Sequence, residues 1–168
     1  ILMGGDHTIA VGSIAAVAAH CAERERPFTV LWLDAHADFN TPDTSPSGNL
    51  HGMPVAILCG TGPAALTGLG PATPTVEPAQ IIQLGVRSVD QFEKGAVVDS
   101  GLAVYDMRTI DERGMRAVMD DALDAVACRG GHLHLSFDVD FLDPGFAPGV
   151  GTTVIGGPTY REAQLCME

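Results

Sequence analysis

Thr29-Val30-Leu31-Trp32-Leu33-Asp34-Ala35-His36-Ala37-Asp38 is an apolar run that ends abruptly in a carboxylate, an imidazole and a second carboxylate. The run is short, apolar or β-branched, and closely preceded by Pro27, so it reads as a buried strand. On extended backbone, residues two apart point the same way. Asp34, His36 and Asp38 therefore project to one side as the strand leaves its sheet. Two carboxylates and an imidazole converging there must bind a cation, catalyse, or repel one another. The pattern returns downstream in His134-Leu135-Ser136-Phe137-Asp138-Val139-Asp140, again an apolar strand ending in acidic residues two apart.

The composition frames that pair of motifs. A chain of 168 residues fits one domain with a real core, and 46% hydrophobic residues mark it as globular. A net charge of −12 argues against nucleic acid and against an anionic membrane as partner. Clustered Asp suits cations instead. Cys21, Cys59, Cys128 and Cys166 stand far apart with no C-x-x-C, which suggests neither a zinc knuckle nor a redox pair. Scattered single cysteines without a signal peptide favour a reducing, cytoplasmic setting. No apolar run is long enough to span a bilayer.

Taken in order, Ile1 to Met3 is expected to be the tail of a strand, and Gly4-Gly5-Asp6-His7 a tight turn into a helix over about 8–25. His7 then stands where a strand hands over to a helix. The Gly pair matches neither phosphate-loop nor dinucleotide fingerprints. His20 reads as a surface or packing residue. The polar stretch 39–52 is a long loop of the kind that carries function. It contains Asn40, Ser47, Asn49 and a lone His51, which by itself is best read as leading into a helix at 53–59. Residues 61–80 read as irregular loop, and strands are expected at 81–86 and 102–105. A capping box, Thr109-x-x-Glu112, opens a helix running to Cys128, with Gly130-Gly131 as its stop. A strand over 132–138 follows, in which His132 and His134 read as structural. The Gly-rich loop 149–158 leads to a second capping box, Thr159-x-x-Glu162.

Strands alternating with helices imply a parallel sheet with right-handed crossovers, whose sites form at the carboxyl ends of strands. His7, Asp34, His36, Asp38, Asp138 and Asp140 all fall there. Four packed carboxylates destabilise a fold unless cations intervene, and two divalent ions supply the matching charge. Oxygen and imidazole donors without thiolate suit Mn, Fe, Co or Zn better than Ca. Such a pair of metals makes a hydroxide at neutral pH, which is hydrolytic chemistry.

Gly4-Gly5-Asp6-His7, Asp34-Ala35-His36-Ala37-Asp38 and Ser136-Phe137-Asp138-Val139-Asp140-Phe141-Leu142-Asp143-Pro144 resemble, in order, the three motifs of the ureohydrolases (arginase, agmatinase and relatives). Gly151-Thr152-Thr153 to Gly156-Gly157, then Tyr160-Arg161-Glu162, is similar to that family's last signature. The resemblance spans nearly the whole chain. It implies an α/β three-layer sandwich around a mainly parallel sheet. It also implies two Mn²⁺, one on His7, Asp34, Asp38 and Asp138 and the other on His36, Asp34, Asp138 and Asp140. A metal-bridged hydroxide would attack the guanidinium carbon, with Asp38 handing its proton to the leaving amine and His51 as proton shuttle.

Within the family, Asn40 and Ser47-Gly48-Asn49 resemble the elements of arginase that hold the α-carboxylate of L-arginine, and Asp90 and Glu93 those that receive its α-amino group. L-Arginine, cleaved to L-ornithine and urea, is thus favoured over agmatine or guanidinobutyrate, which places the chain in arginine metabolism. Ser88 departs from the acidic residue of animal arginases and suggests a bacterial-type relative. Arg161 and Glu162 resemble residues near the family's trimer or hexamer interface, so a homo-oligomer is expected. The family's first strand and helix would precede Ile1, and its guanidinium-binding Glu would follow Glu168. The chain is therefore expected to be an internal piece of one larger domain, truncated at both ends, weak in metal binding and turnover alone. A catalytically silent protein of this fold and a single-zinc deacetylase are the competing classes.

Overall fold

The computed structural model describes every residue from Ile1 to Glu168. The run that precedes Asp34 is β1 (Phe28–Leu33), buried along its whole length. It pairs in parallel with β2 (Ile81–Leu84) on one side and with β4 (His132–Phe137) on the other, and β3 (Ala103–Tyr105) adds to the far edge of β2. The order β3-β2-β1-β4 means that the chain winds outward from β1 and then returns to its other side. A crevice opens at the carboxyl ends of strands where the winding reverses, and here that point lies between β1 and β4.

Side-chain alternation divides β1 between two cores. Val30 and Trp32 pack with Ile14 and Ala18 of α1 (Ile9–Ala22) and with Val55 and Leu58 of α2 (Pro54–Leu58). Leu31 and Leu33 face Ile110 of α5 (Met107–Arg113), Val118 and Met119 of α6 (Met115–Arg129), and Ala163 of α7 (Tyr160–Met167). A strand covered on both faces must be apolar throughout rather than alternating. Each such side chain contributes about 1.5–3 kcal/mol on burial. The three-layer parallel α/β arrangement expected from the sequence is the one observed. No helix is long and apolar enough to cross a membrane, and all four cysteines are free thiols.

Several local expectations are corrected. Ile1 to Met3 form no strand. The 61–80 stretch carries a short helix, α3 (Ala64–Thr67), and a 3-10 turn at Pro78–Gln80. The segment after Ser88 is a helix, α4 (Gln91–Ser100), closed by Gly101 at φ 82°. The expected single helix from Thr109 is two helices. Asp106 caps the first, its Oδ1 accepting from Thr109 N at 2.8 Å, and Gly114 at φ 83° breaks the path before the second. The Thr159–Glu162 capping box is present, with Glu162 Oε2 accepting from Thr159 N at 2.8 Å.

Gly131 sets the register at the entry to β4. Its φ is +87°, and a Cβ there would run into the carbonyl oxygen of Pro27, which accepts from His132 N at 2.8 Å. Gly131→Ala is therefore expected to cost more than ~1 kcal/mol, since strained backbone and a clash act together. The check is the urea midpoint at unchanged m-value; an unaltered midpoint refutes the expectation.

Candidate metal centre

β1 delivers Asp34 at the crevice, 1% exposed. Both of its oxygens are in use. Oδ2 accepts from Trp32 Nε1 at 3.0 Å and from His7 Nδ1 at 2.8 Å. Oδ1 accepts from His36 N at 2.7 Å and faces His36 Nδ1 at 3.4 Å. His7 arrives from the turn ahead of α1. Its ring stacks on Trp32, centroids 3.9 Å apart, and its Nε2 stands 2.8 Å from Ser136 Oγ. Nδ1 is left facing Asp34, Asp138 Oδ2 at 3.2 Å and Asp38 Oδ2 at 3.4 Å.

On the other side of Asp34, His36 Nδ1 stands 3.1 Å from Asp140 Oδ2. Asp140 comes from the 3-10 turn Val139–Phe141 that follows β4. Its Oδ1 accepts from Ala35 N at 3.1 Å and its Oδ2 from Thr152 Oγ1 at 3.0 Å. Asp138 Oδ1 accepts from Asp140 N at 2.9 Å. Two clusters result, His7/Asp34/Asp138 and Asp34/His36/Asp140, each with its ligand atoms within 4.8 Å of one another and both sharing Asp34.

Electrostatics show what these clusters demand. Burial pushes the His7 pKa down, but hydrogen bonds to Asp138 and Asp34 override it and lift the value to about 9. His36 is likewise penalised by burial and lifted to about 10 by Asp140 and Asp34. Burial, joined by the charges of Asp34, Asp138, Glu93 and Asp140, pushes the Asp38 carboxyl well above the usual range. Asp38 is 5% exposed, its Oδ2 has no hydrogen-bond partner, and its backbone is left-handed at φ 50°. A non-glycine residue adopts that conformation only when its surroundings impose it; Val55 N and Ala56 N both donate to its carbonyl oxygen. An orphaned carboxylate oxygen beside two imidazole–carboxylate clusters is the donor set that divalent cations complete. The residues fit a pair of metal ions of borderline or hard character.

The arginase family model matches residues 1–168. The chain belongs to the arginase family. It is 51% identical over 170 aligned residues to the arginase of Brucella melitensis, covering 100% of this chain and 55% of that protein. The crystal structure of Bacillus subtilis arginase superposes with a TM-score of 0.90 at 44% identity, covering 98% of this chain and 55% of that one. The Entamoeba histolytica arginase in complex with L-ornithine superposes with a TM-score of 0.90 at 36% identity, over 98% of this chain and 54% of that one. This arginase-family chain thus spans about half the length of the curated relatives it matches.

The remaining candidate residues lie around a cleft of about 1520 Å³ that includes the metal clusters. Asn40, Ser47, His51, Asp90 and Glu93 line it; Asn49 does not. Asn40 is buried, its Nδ2 donating to Asp90 Oδ2 at 3.0 Å and its Oδ1 accepting from Thr44 Oγ1 at 3.0 Å. Glu93 is buried too. Its Oε1 accepts from Phe39 N at 2.8 Å and its Oε2 from Asp90 N at 3.2 Å, the return half of a capping box on α4. Burial, opposed by those two backbone hydrogen bonds, raises its pKa. Sequence reasoning missed Trp32, Ser136, Thr152 and Arg87 as supports of the site. Trp32 and Ser136 were within reach, since they share strand parity with Asp34 and Asp138 and stand opposite one another in register.

Both imidazoles titrate above neutrality when no metal competes, so metal uptake at pH 7 must displace their protons. Calorimetry in buffers of different ionisation enthalpy is expected to show release of roughly two protons or more on Mn²⁺ saturation, and affinity is expected to rise with pH. After chelation the sign for folding is opposite. Both pKa values are raised above that of a free His, so their stabilisation is whole below about pH 6.5 and is lost as pH climbs through about 9 to 10. Metal binding without proton release would contradict this picture.

Proposed function

We propose that the protein hydrolyses the guanidino group of L-arginine to L-ornithine and urea with two Mn²⁺ bound per chain. The double use of Asp34 supports this reading most: one carboxylate joins His7 and Asp138 on one side to His36 and Asp140 on the other. His7, Asp34, Asp38 and Asp138 would hold one ion, and His36, Asp34, Asp138 and Asp140 the other. When bound, such a pair supplies water acidic enough to act as a nucleophile near neutral pH and positive charge where the transition state turns negative.

The chain's own groups then divide the work. Asp38 presents its unpartnered Oδ2 to the attacking water, takes its proton and returns it to the departing amine. His51, on the 3-10 turn Leu50–Gly52 at the cleft wall, relays protons between that carboxyl and solvent. Ser47 and Asp90 offer an exposed hydroxyl and carboxylate to the α-carboxylate and α-amino groups of the substrate. Asn40 and Glu93 act one step back, since hydrogen bonds to Asp90, Thr44 and Phe39 occupy them. Asn49 stands off the cleft wall, exposed, and its N donates to Ser47 Oγ at 3.2 Å, which braces the hydroxyl offered to the substrate.

Assembly into a trimer or hexamer belongs to the same reading. The residues behind it are occupied locally, Arg161 by Glu168 at 2.8 Å and Glu162 by the Thr159 cap.

The test is urea release by the whole protein with added Mn²⁺ on arginine, agmatine and guanidinobutyrate. Arginine is expected to be turned over best; preference for agmatine would refute the assignment of the 40–51 loop. His51→Asn is expected to lower kcat by ~10²-fold with little change in KM.

A further inference from the structure

Arg87 emerges from the end of β2 toward the far side of the crevice, and nothing in the chemistry above uses it. Its guanidinium makes six hydrogen bonds, all to backbone carbonyl oxygens. Nη2 donates to Asp140 O at 2.8 Å, to Leu142 O at 3.3 Å and to Val154 O at 2.8 Å. Nη1 donates to Phe141 O at 3.1 Å and Gly85 O at 3.2 Å, and Nε to Val154 O at 3.2 Å. One planar cation thereby ties together three segments remote in sequence: the end of β2, the 139–142 turn and the 150–157 loop.

Each of those segments bears on Asp140. The 139–142 turn carries it. The 150–157 loop carries Thr152, whose hydroxyl donates to Asp140 Oδ2 at 3.0 Å. The main chain beside Arg87 is fixed to the His36 segment, with Arg87 N and Ser88 N donating to Ala35 O at 2.9 and 3.0 Å and a bridge joining His36 to Ser88. Asp143 closes the loop from its other end, with Oδ2 accepting from Gly156 N at 2.8 Å and Gly157 N at 3.2 Å. Gly157 lies against the guanidinium, so a Cβ there would stand 2.5 Å from Nη2 and 2.8 Å from Asp143 N. The His7/Asp34/Asp138 cluster meets this scaffold only through the shared Asp34 and through Asp140 N, which donates to Asp138 Oδ1 at 2.9 Å, and Trp32 and Ser136 hold it from the other side.

We infer that Arg87 is the positioning residue for the His36/Asp140 half of the metal pair: it holds the Asp140 turn and the Thr152 loop at one distance from His36. This rests on the metal reading given above. The guanidinium is suited because it carries five donors in a rigid plane; a lysine offers a point charge with three. Losing Arg87 therefore leaves Asp140 free to drift from His36, and costs Asp138 the hydrogen bond from Asp140 N, while His7 keeps Asp34 and Ser136. Supports of this kind set metal affinity by about 10- to 100-fold.

The experiment is Mn²⁺ binding by the whole protein, followed by equilibrium dialysis and by electron paramagnetic resonance, for the unaltered protein, Arg87→Lys, and Gly157→Ala. The unaltered protein is expected to take two ions and give a spin-coupled spectrum. Both variants are expected to bind one ion about 10- to 100-fold more weakly and the other with a smaller loss, with an isolated-ion spectrum at intermediate Mn²⁺. Gly157→Ala guards against a merely unfolded Arg87 variant, because it crowds the guanidinium and the Asp143 main chain beside it without removing the charge. Two ions at unaltered affinity in both variants, or equal weakening of both ions, would overturn the inference. Fewer than two ions in the unaltered protein would instead overturn the metal reading itself.

Discussion

A buried carboxylate shared by two imidazoles is the constraint on which the site depends. Asp34 lies at the end of the central strand, cut off from water. Burial alone would hold it protonated; the hydrogen bonds from His36 and His7 are what keep its pKa low. Removing one partner of such a group leaves an uncompensated charge in low dielectric, which costs far more than the pair contributes. The cluster is thus mutually dependent. His7 needs Asp34, and Asp34 needs both imidazoles; Asp34 N donates to Leu84 O of β2, a bridge joins His36 to Ser88, and His7 is placed by its stack on Trp32 and its contact with Ser136.

The winding of the sheet explains why so few elements suffice. β1 and β4 are neighbours in space although about a hundred residues apart in sequence. Their pairing sets Trp32 against Ser136 and Leu33 against Phe137, so the residues just beyond each strand end meet automatically. A register slip of one residue would misplace Asp138 and Asp140, the acids that follow β4. The pinned entry to β4 at Gly131 and Pro27 therefore matters to chemistry at the strand's opposite end.

Much of this was legible in the sequence, because strand parity is a short-range rule. Alternation alone puts Asp34, His36 and Asp38 on one side, the strand-end rule adds His7, Asp138 and Asp140, and the resemblance to ureohydrolases divides them between two ions. What escaped reading acts through the backbone or through competition between local signals. Asp90-x-x-Glu93 opens α4 as a capping box, a signal that a substrate reading of the two acids hides. Thr109-x-x-Glu112 imitated a cap that Asp106 supplies. Arg87 hydrogen-bonds only to carbonyl oxygens, one next to it at Gly85 and the rest on distant segments, which no side-chain pattern records.

The left-handed backbone at Asp38 has an evolutionary corollary. A residue held against its own steric preference, with a charge its surroundings reject, is a standing penalty on the folded state. Glycine there would relieve both burdens at once. On the role proposed for Asp38, selection for heat resistance alone would push position 38 toward exchange and selection for turnover would oppose it; durability and usefulness would then pull this single codon in opposite directions.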